Sequence, residues 1–111
     1  MSFSADSPEG FLTVQFDGSL DESTALDARA RVDQMAEGHA FQYLVFDFTN
    51  LTYMNSKGIG FLVSTHAHIA KDQKKLIIAG ANQEVSDVMA LVGIDTILKT
   101  VSNLKGAYGE K

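Results

Sequence analysis

The chain has 111 residues, of which 45 % are apolar and 21 % charged, a balance typical of one globular domain. Nine Lys and Arg against fourteen Asp and Glu give a formal net charge of -5, which argues against a basic surface for nucleic acid. The absence of cysteine excludes disulfides, thiolate catalysis and cysteine-ligated zinc, and we expect a cytoplasmic protein.

The chain reads as one domain without a membrane segment. No stretch approaches the roughly 20 apolar residues that span a bilayer, and the first ten residues do not resemble a signal peptide. We therefore predict a single domain over residues 1–111 with a core at 11–98. Residues 1–10 form a leading segment, and residues 99–111 are expected to be a C-terminal helix or a frayed tail.

The first half of the chain predicts two strands around a helix. Residues 11–16 are a strand that ends in a turn at Asp17 and Gly18. A helix follows at about 24–37, and the nearly continuous apolar run at 43–48 predicts a central strand covered on both faces. Residues 49–55 read as a turn-rich connector.

The second half repeats this alternation. A helix at about 56–72 precedes a buried strand at 75–79, then an amphipathic helix that ends at Gly93 and a short strand at 97–98. Strands that alternate with helices predict right-handed crossovers. The expected class is therefore α/β, with a mixed, largely parallel sheet of four to five strands and helices packed on it.

Two segments together resemble a known family. Leu44-Val-Phe-Asp-Phe-Thr-Asn-Leu-Thr-Tyr-Met-Asn-Ser-Lys-Gly-Ile-Gly-Phe-Leu62 is similar to the central signature of STAS domains, and Gly18-Ser-Leu-Asp-Glu-Ser-Thr-Ala25 is similar to the family's first loop. Downstream, Leu76-Ile-Ile-Ala-Gly80 and the stretch at 88–98 also look like the family. The resemblance covers about residues 11–98.

The resemblance implies an anti-sigma factor antagonist that works by partner switching. Such a protein binds an anti-sigma factor when unphosphorylated and releases it when the signature serine, here Ser56, is phosphorylated. The implied partner is an anti-sigma factor with serine kinase activity, and a serine phosphatase is admitted as a second one. No cofactor or metal is expected, since ATP is only the cosubstrate of the kinase. The expected partner-binding residues are Asp21, Asn55, Ser56, Lys57, Gly58 and Gly60.

The residue types suit a switch of this kind. A serine at a helix start can cap the first turn, and a phosphate there adds about -1.5 to -2 charges that the helix dipole tolerates. Gly58 and Gly60 leave the first turn bare for close approach of a partner or of the neighbouring connector. Asp21 is expected at the same end of the sheet, where it could orient the serine hydroxyl or contact basic groups of a partner.

The predicted connector at 49–55 allows two interpretations. Leu51, Tyr53 and Met54 are apolar or aromatic and lie just before Ser56, so they could form a docking surface. Alternatively, Leu51 and Met54 plug the base of the sheet.

Three alternatives compete with the switch. Many family members have Asp at the position of Asn55 and Ser or Thr at the position of Lys57. Lys57 favours a constitutive binding or scaffold subunit of a signalling or transport complex. A receiver-like domain that is phosphorylated on Asp47 lacks its companion acids and lysine. An enzyme is not supported, because the histidines form no constellation, and His66 reads as a packed, hydrogen-bonded core residue.

Overall fold

The computed structural model describes residues 2–4 and 7–109, with side chains from residue 7 onward. The strands are β1 Ser2–Ser4, β2 Phe11–Leu20, β3 Tyr43–Met54, β4 Lys75–Ala79 and β5 Lys99–Val101. The helices are α1 Ala25–Glu37, α2 Ser56–Ala70, α3 Gln83–Leu91 and α4 Leu104–Tyr108, with a 3-10 turn at Ile94–Thr96. Within this described part, no helix is both long and apolar enough to cross a bilayer.

The five strands form one sheet in the order β1-β2-β3-β4-β5. β2 to β5 run parallel, and β1 pairs antiparallel with β2 at the sheet edge. This confirms the predicted α/β class and its largely parallel sheet. The last strand was misplaced: it begins at Lys99, because Leu98 still donates its N–H to the Ile94 carbonyl at 3.0 Å and residues 97–98 close the 3-10 turn.

The predicted ends of β2 and β3 were wrong, because both strands continue together. β2 passes through Gly18 to Leu20, and β3 passes through the supposed connector to Met54. Gly18 has φ +69, which a glycine tolerates inside a strand, so the backbone bends there without leaving the sheet. The two extensions pair with each other from Asp17–Asn50 to Leu20–Met54.

A bulge makes this extension possible. Between the pairs Gln15–Asp47 and Asp17–Asn50, β3 contains one residue more than β2. The Asp47 carboxylate accepts hydrogen bonds from the Thr49 backbone N–H at 3.0 Å and from its hydroxyl at 2.6 Å. Asp47 is only 8 % exposed, and its carboxylate supplies the hydrogen-bond acceptor that the backbone N–H in the bulge needs. This role in the bulge explains why Asp47 is buried, without the phosphorylation that a receiver-like domain would require.

Helices cover both faces of the sheet. α1, α2 and α3 contribute to the larger core on one face, while α4 contributes to a smaller cluster on the other. β3 alternates between the two: Leu44 and Phe46 belong to the larger core and Val45 to the smaller one. As predicted, β3 is the central strand and is covered on both faces.

Candidate functional site

The two sequence segments meet at the carboxyl ends of β2 and β3. Leu20 and Met54 are paired as the last residues of their strands, and the Asn55 N–H donates to the Leu20 carbonyl at 3.3 Å. The loop at 21–24 and the start of α2 therefore lie side by side. The loop and the helix start are neighbours because adjacent parallel strands end at the same edge of the sheet.

Asn55, and not Ser56, caps α2. Asn55 has extended backbone angles, and its side-chain oxygen accepts the N–H groups of Lys57 at 3.0 Å and Gly58 at 3.4 Å. Ser56 is the first helical residue, and its side chain is exposed. The predicted capping role of Ser56 was wrong, since the neighbouring amide already occupies two first-turn donors. A capping role therefore does not explain the exposed hydroxyl.

Glu22 joins the loop to the helix start and was missed in the sequence. The Asn55 side-chain N–H donates to the Glu22 carboxylate at 2.7 Å, and this hydrogen bond holds the pKa of Glu22 below its ordinary value. The positive charge of Lys57 acts in the same direction. Glu22 lies within the first-loop motif, but only the pairing of β2 with β3 brings it next to Asn55. A carboxylate is thus held by the residue that precedes the exposed serine.

Asp21 serves the loop itself. Its carboxylate accepts hydrogen bonds from the Ser23 hydroxyl at 2.7 Å and the Ser23 backbone N–H at 2.9 Å. These bonds hold the pKa of Asp21 below its ordinary value, with the side-chain bond as the larger cause. Asp21 lies at the expected end of the sheet, and its carboxylate also accepts a hydrogen bond from the Thr24 hydroxyl at 3.4 Å.

The two glycines of the first turns differ in their surroundings. Gly58 is buried, and a Cβ there would lie 2.5 Å from the Leu20 carbonyl oxygen and 2.5 Å from Met54 Cγ. Gly60 is exposed, and a Cβ there would meet no atom within 4 Å. Gly58 thus permits the close approach of β2 and α2, whereas Gly60 leaves open surface.

An open groove of about 370 Å³ lies between α1 and α2, and Lys57, the residue after Ser56, lines it. Phe61 and Gly60 line it from α2, and Leu26, which is 82 % exposed, lines it from α1. Charged residues flank this apolar lining: Glu22, Arg29 and Lys57. A large exposed apolar side chain in a groove with a charged rim is typical of a protein-binding surface.

The connector residues divide between core and surface. Leu51 and Met54 are each 1 % exposed and belong to the core, so the expected docking surface does not include them. Tyr53 is 44 % exposed and is the part of that surface that remains. The burial follows from the strand that replaces the predicted connector, since residues 51 and 54 face the helices.

Other candidate chemistry finds little support. Among residues 2–4 and 7–109, no group of three or more His, Asp or Glu side chains is placed to hold a metal ion. His66 is half-buried as predicted, but its Nδ1 is buried without a hydrogen-bond partner in the described part of the chain. The predicted hydrogen bond is therefore missing at this nitrogen.

Comparisons with known proteins extend the resemblance. A family model described as STAS domain matches residues 2–107. The anti-sigma F factor antagonist of Paenibacillus polymyxa is 24 % identical over 101 residues, which cover 91 % of this chain and 86 % of the relative.

Solved structures share the fold at low identity. An anti-sigma factor antagonist from Mycobacterium paratuberculosis superposes with a TM-score of 0.84 at 17 % identity, covering 98 % of this chain and 92 % of that one. The phosphorylated form of the Bacillus cell fate determinant SpoIIAA superposes with a TM-score of 0.70 at 14 % identity, covering 99 % of this chain and 100 % of that one. A sulfate transporter family protein from Wolinella succinogenes superposes with a TM-score of 0.80 at 13 % identity, covering 93 % of this chain and 85 % of that one.

Proposed function

Because this chain belongs to the STAS domain family, we propose that it is an anti-sigma factor antagonist that acts by partner switching. Unphosphorylated, it binds an anti-sigma factor that is also a serine kinase. Phosphorylation of Ser56 releases that partner. The protein itself has no catalytic role in this scheme, and ATP is bound by the kinase.

One observation carries the proposal: an exposed serine begins the helix that forms one side of an apolar groove. Ser56 immediately precedes Lys57, which lines the groove, and Asn55 links this helix start to Glu22 on the opposite rim. A kinase that binds the groove has the acceptor hydroxyl within its own interface. Substrate binding and partner binding then use the same surface.

The groove favours a partner that inserts an apolar side chain. Leu26 is almost fully exposed in the free protein, while Phe61, 5 % exposed, lies at the base of the groove. Covering Leu26 removes apolar area from water, and Glu22 and Lys57 at the rim provide charges that orient the partner. Gly60 keeps this approach open because it has no side chain.

A phosphate on Ser56 would reverse this binding through charge. The helix start tolerates the new anion, so the domain remains folded. In the complex, a carboxylate of the partner that faces Ser56 repels this anion, and an apolar group of the partner removes it from water without compensation. Like charges at an interface cost several kcal/mol, and each 1.4 kcal/mol lowers affinity about tenfold.

The modification is tested by incubating the protein with ATP and a candidate anti-sigma kinase of the same organism. Intact mass should increase by one phosphate, and a Ser56→Ala variant should stay unmodified. Ser23, which is also exposed and lies on the neighbouring loop, supplies the matched control, since Ser23→Ala should be phosphorylated like the wild type. Labelling of Ser56→Ala would show that the acceptor is elsewhere.

A second candidate is a constitutive STAS binding subunit of a signalling or transport complex. Lys57 favours it, because a cation next to the acceptor offsets part of a phosphate's charge. The shared fold with a sulfate transporter family protein is also consistent with such a role. Equal recovery of the partner by wild type and Ser56→Asp would support this subunit and oppose the switch.

A further inference from the structure

Arg29 reaches across the groove between α1 and α2. Its Nε donates to the Asp33 carboxylate on α1 at 3.1 Å, and its Nη1 donates to the Ser64 hydroxyl on α2. Arg29 and Ser64 both line the groove, whereas Asp33 does not. The guanidinium therefore lies between the two helices, and 31 % of the Arg29 side chain is exposed, so a docked partner can reach it.

The guanidinium keeps donors that the protein does not use. Arginine carries more N–H groups than these two partners accept. In the part of the chain that the structure describes, Nη2 has no hydrogen-bond partner. The planar arrangement of these N–H groups matches a carboxylate, which accepts two of them at once. Arg29 can therefore bind an acid without giving up Asp33.

The groove offers more positive than negative charge, although the whole chain carries a formal charge of -5. Arg29 and Lys57 line it, and Glu22 is the one acid among the described residues that do so. The Glu22 carboxylate already accepts the Asn55 side-chain N–H at 2.7 Å. Positive charge on a concave surface attracts acids and disfavours bases. A complementary partner therefore presents an acidic side chain to this groove.

The exposed apolar contact lies close to Arg29. Leu26 precedes Arg29 by three residues on α1, so the two side chains lie on the same side of the helix, about 4.5 Å apart along its axis. Leu26 is 82 % exposed. A partner that covers Leu26 thus brings its neighbouring side chains within reach of the guanidinium. Arginine is also among the residue types that dominate binding energy at interfaces.

We infer that Arg29 binds a carboxylate of the anti-sigma partner and thereby selects a segment in which Asp or Glu lies beside an apolar residue. The apolar side chain packs on Leu26 and Phe61, and the carboxylate accepts the donors that Arg29 has left. This inference rests on the proposed function and adds the chemistry of the partner segment to it.

Isothermal titration calorimetry of the unmodified full chain with the anti-sigma partner tests the role of Arg29. Arg29→Gln should bind at least tenfold more weakly, because the neutral amide leaves the partner's carboxylate without its counter-charge. Arg31→Gln is the matched control, since Arg31 is exposed on the same helix and does not line the groove. It should bind within about twofold of the wild type, because its ion pair with Asp27 is exposed.

Ser64→Ala separates direct binding from support of the groove. This substitution removes only the hydrogen bond between the two helices, so it should weaken binding about threefold or less. A loss as large as that of Arg29→Gln would show that Arg29 holds the helices and does not contact the partner.

Charge exchange identifies the acid of the partner. Arg29→Glu should weaken binding more than Arg29→Gln, and replacing one surface Asp or Glu of the partner by Arg should restore at least tenfold in affinity. Wild-type affinity in Arg29→Gln, an equal loss in Arg31→Gln, or the failure of every exchange to restore binding would overturn the inference. The proposed function survives these results, because the wild type still binds. A wild type that does not bind the partner would refute both.

Discussion

The paired glycines of α2 allow the packing of the site to be measured. In Gly58→Ala, the new Cβ would lie 2.5 Å from the Leu20 carbonyl oxygen, which is backbone and cannot turn aside. Overpacking of this kind costs about 1–3 kcal/mol, and the better helix propensity of alanine returns at most about 1 kcal/mol. When that gain is subtracted, we expect a net loss of about 0–2 kcal/mol in the free energy of unfolding.

Gly60→Ala is the matched control for this substitution. A Cβ at Gly60 meets no atom within 4 Å, so the same change should stabilise the protein by about 0.5–1 kcal/mol. Urea unfolding measures both variants, and in a domain of this size 1 kcal/mol corresponds to about 4 °C in Tm. If Gly58→Ala were as stable as Gly60→Ala, the close contact between β2 and α2 would be refuted.

Two further predictions concern the surroundings of Ser56. Asn55→Ala should raise the pKa of Glu22 towards its ordinary value, seen by carboxyl ¹³C NMR, and an unchanged pKa would contradict the hydrogen bond. Since the folded-state pKa is lowered, its stabilising contribution is present above the unfolded pKa and disappears as the pH falls through the folded one. Leu26→Asp should weaken binding of the anti-sigma partner at least tenfold without loss of stability. Leu91, 87 % exposed on α3, supplies the control, because Leu91→Asp should leave this affinity unchanged. Equal effects of the two substitutions would show that the groove is not part of the interface.

The elements with strong hydrophobic patterns were predictable from the sequence. The apolar run at the start of β3 and the three- and four-residue spacing along α2 reflect burial directly, because covered faces require apolar side chains. The extensions of β2 and β3 were not predictable in this way. Their residues are largely polar or glycine, and they are strands because each supplies the hydrogen-bond partners of the other.

The candidate site was predictable in position and less so in detail. The family motifs placed the loop and the start of α2 at one edge of the sheet, which the structure bears out. Asn55 and Ser56 are both good capping residues, so only the extended backbone at Asn55 distinguishes them. Glu22 has no local signal at all, since its partner is 33 positions away along the chain.

The affinity of the anti-sigma partner for the two forms of the protein tests the central claim most directly. Isothermal titration calorimetry would compare unmodified protein with protein phosphorylated on Ser56, each checked by intact mass. A cost of several kcal/mol for the buried charge predicts at least a hundredfold weaker binding of the phosphorylated form. Equal affinity of the two forms would contradict the switch and leave a constitutive binding domain.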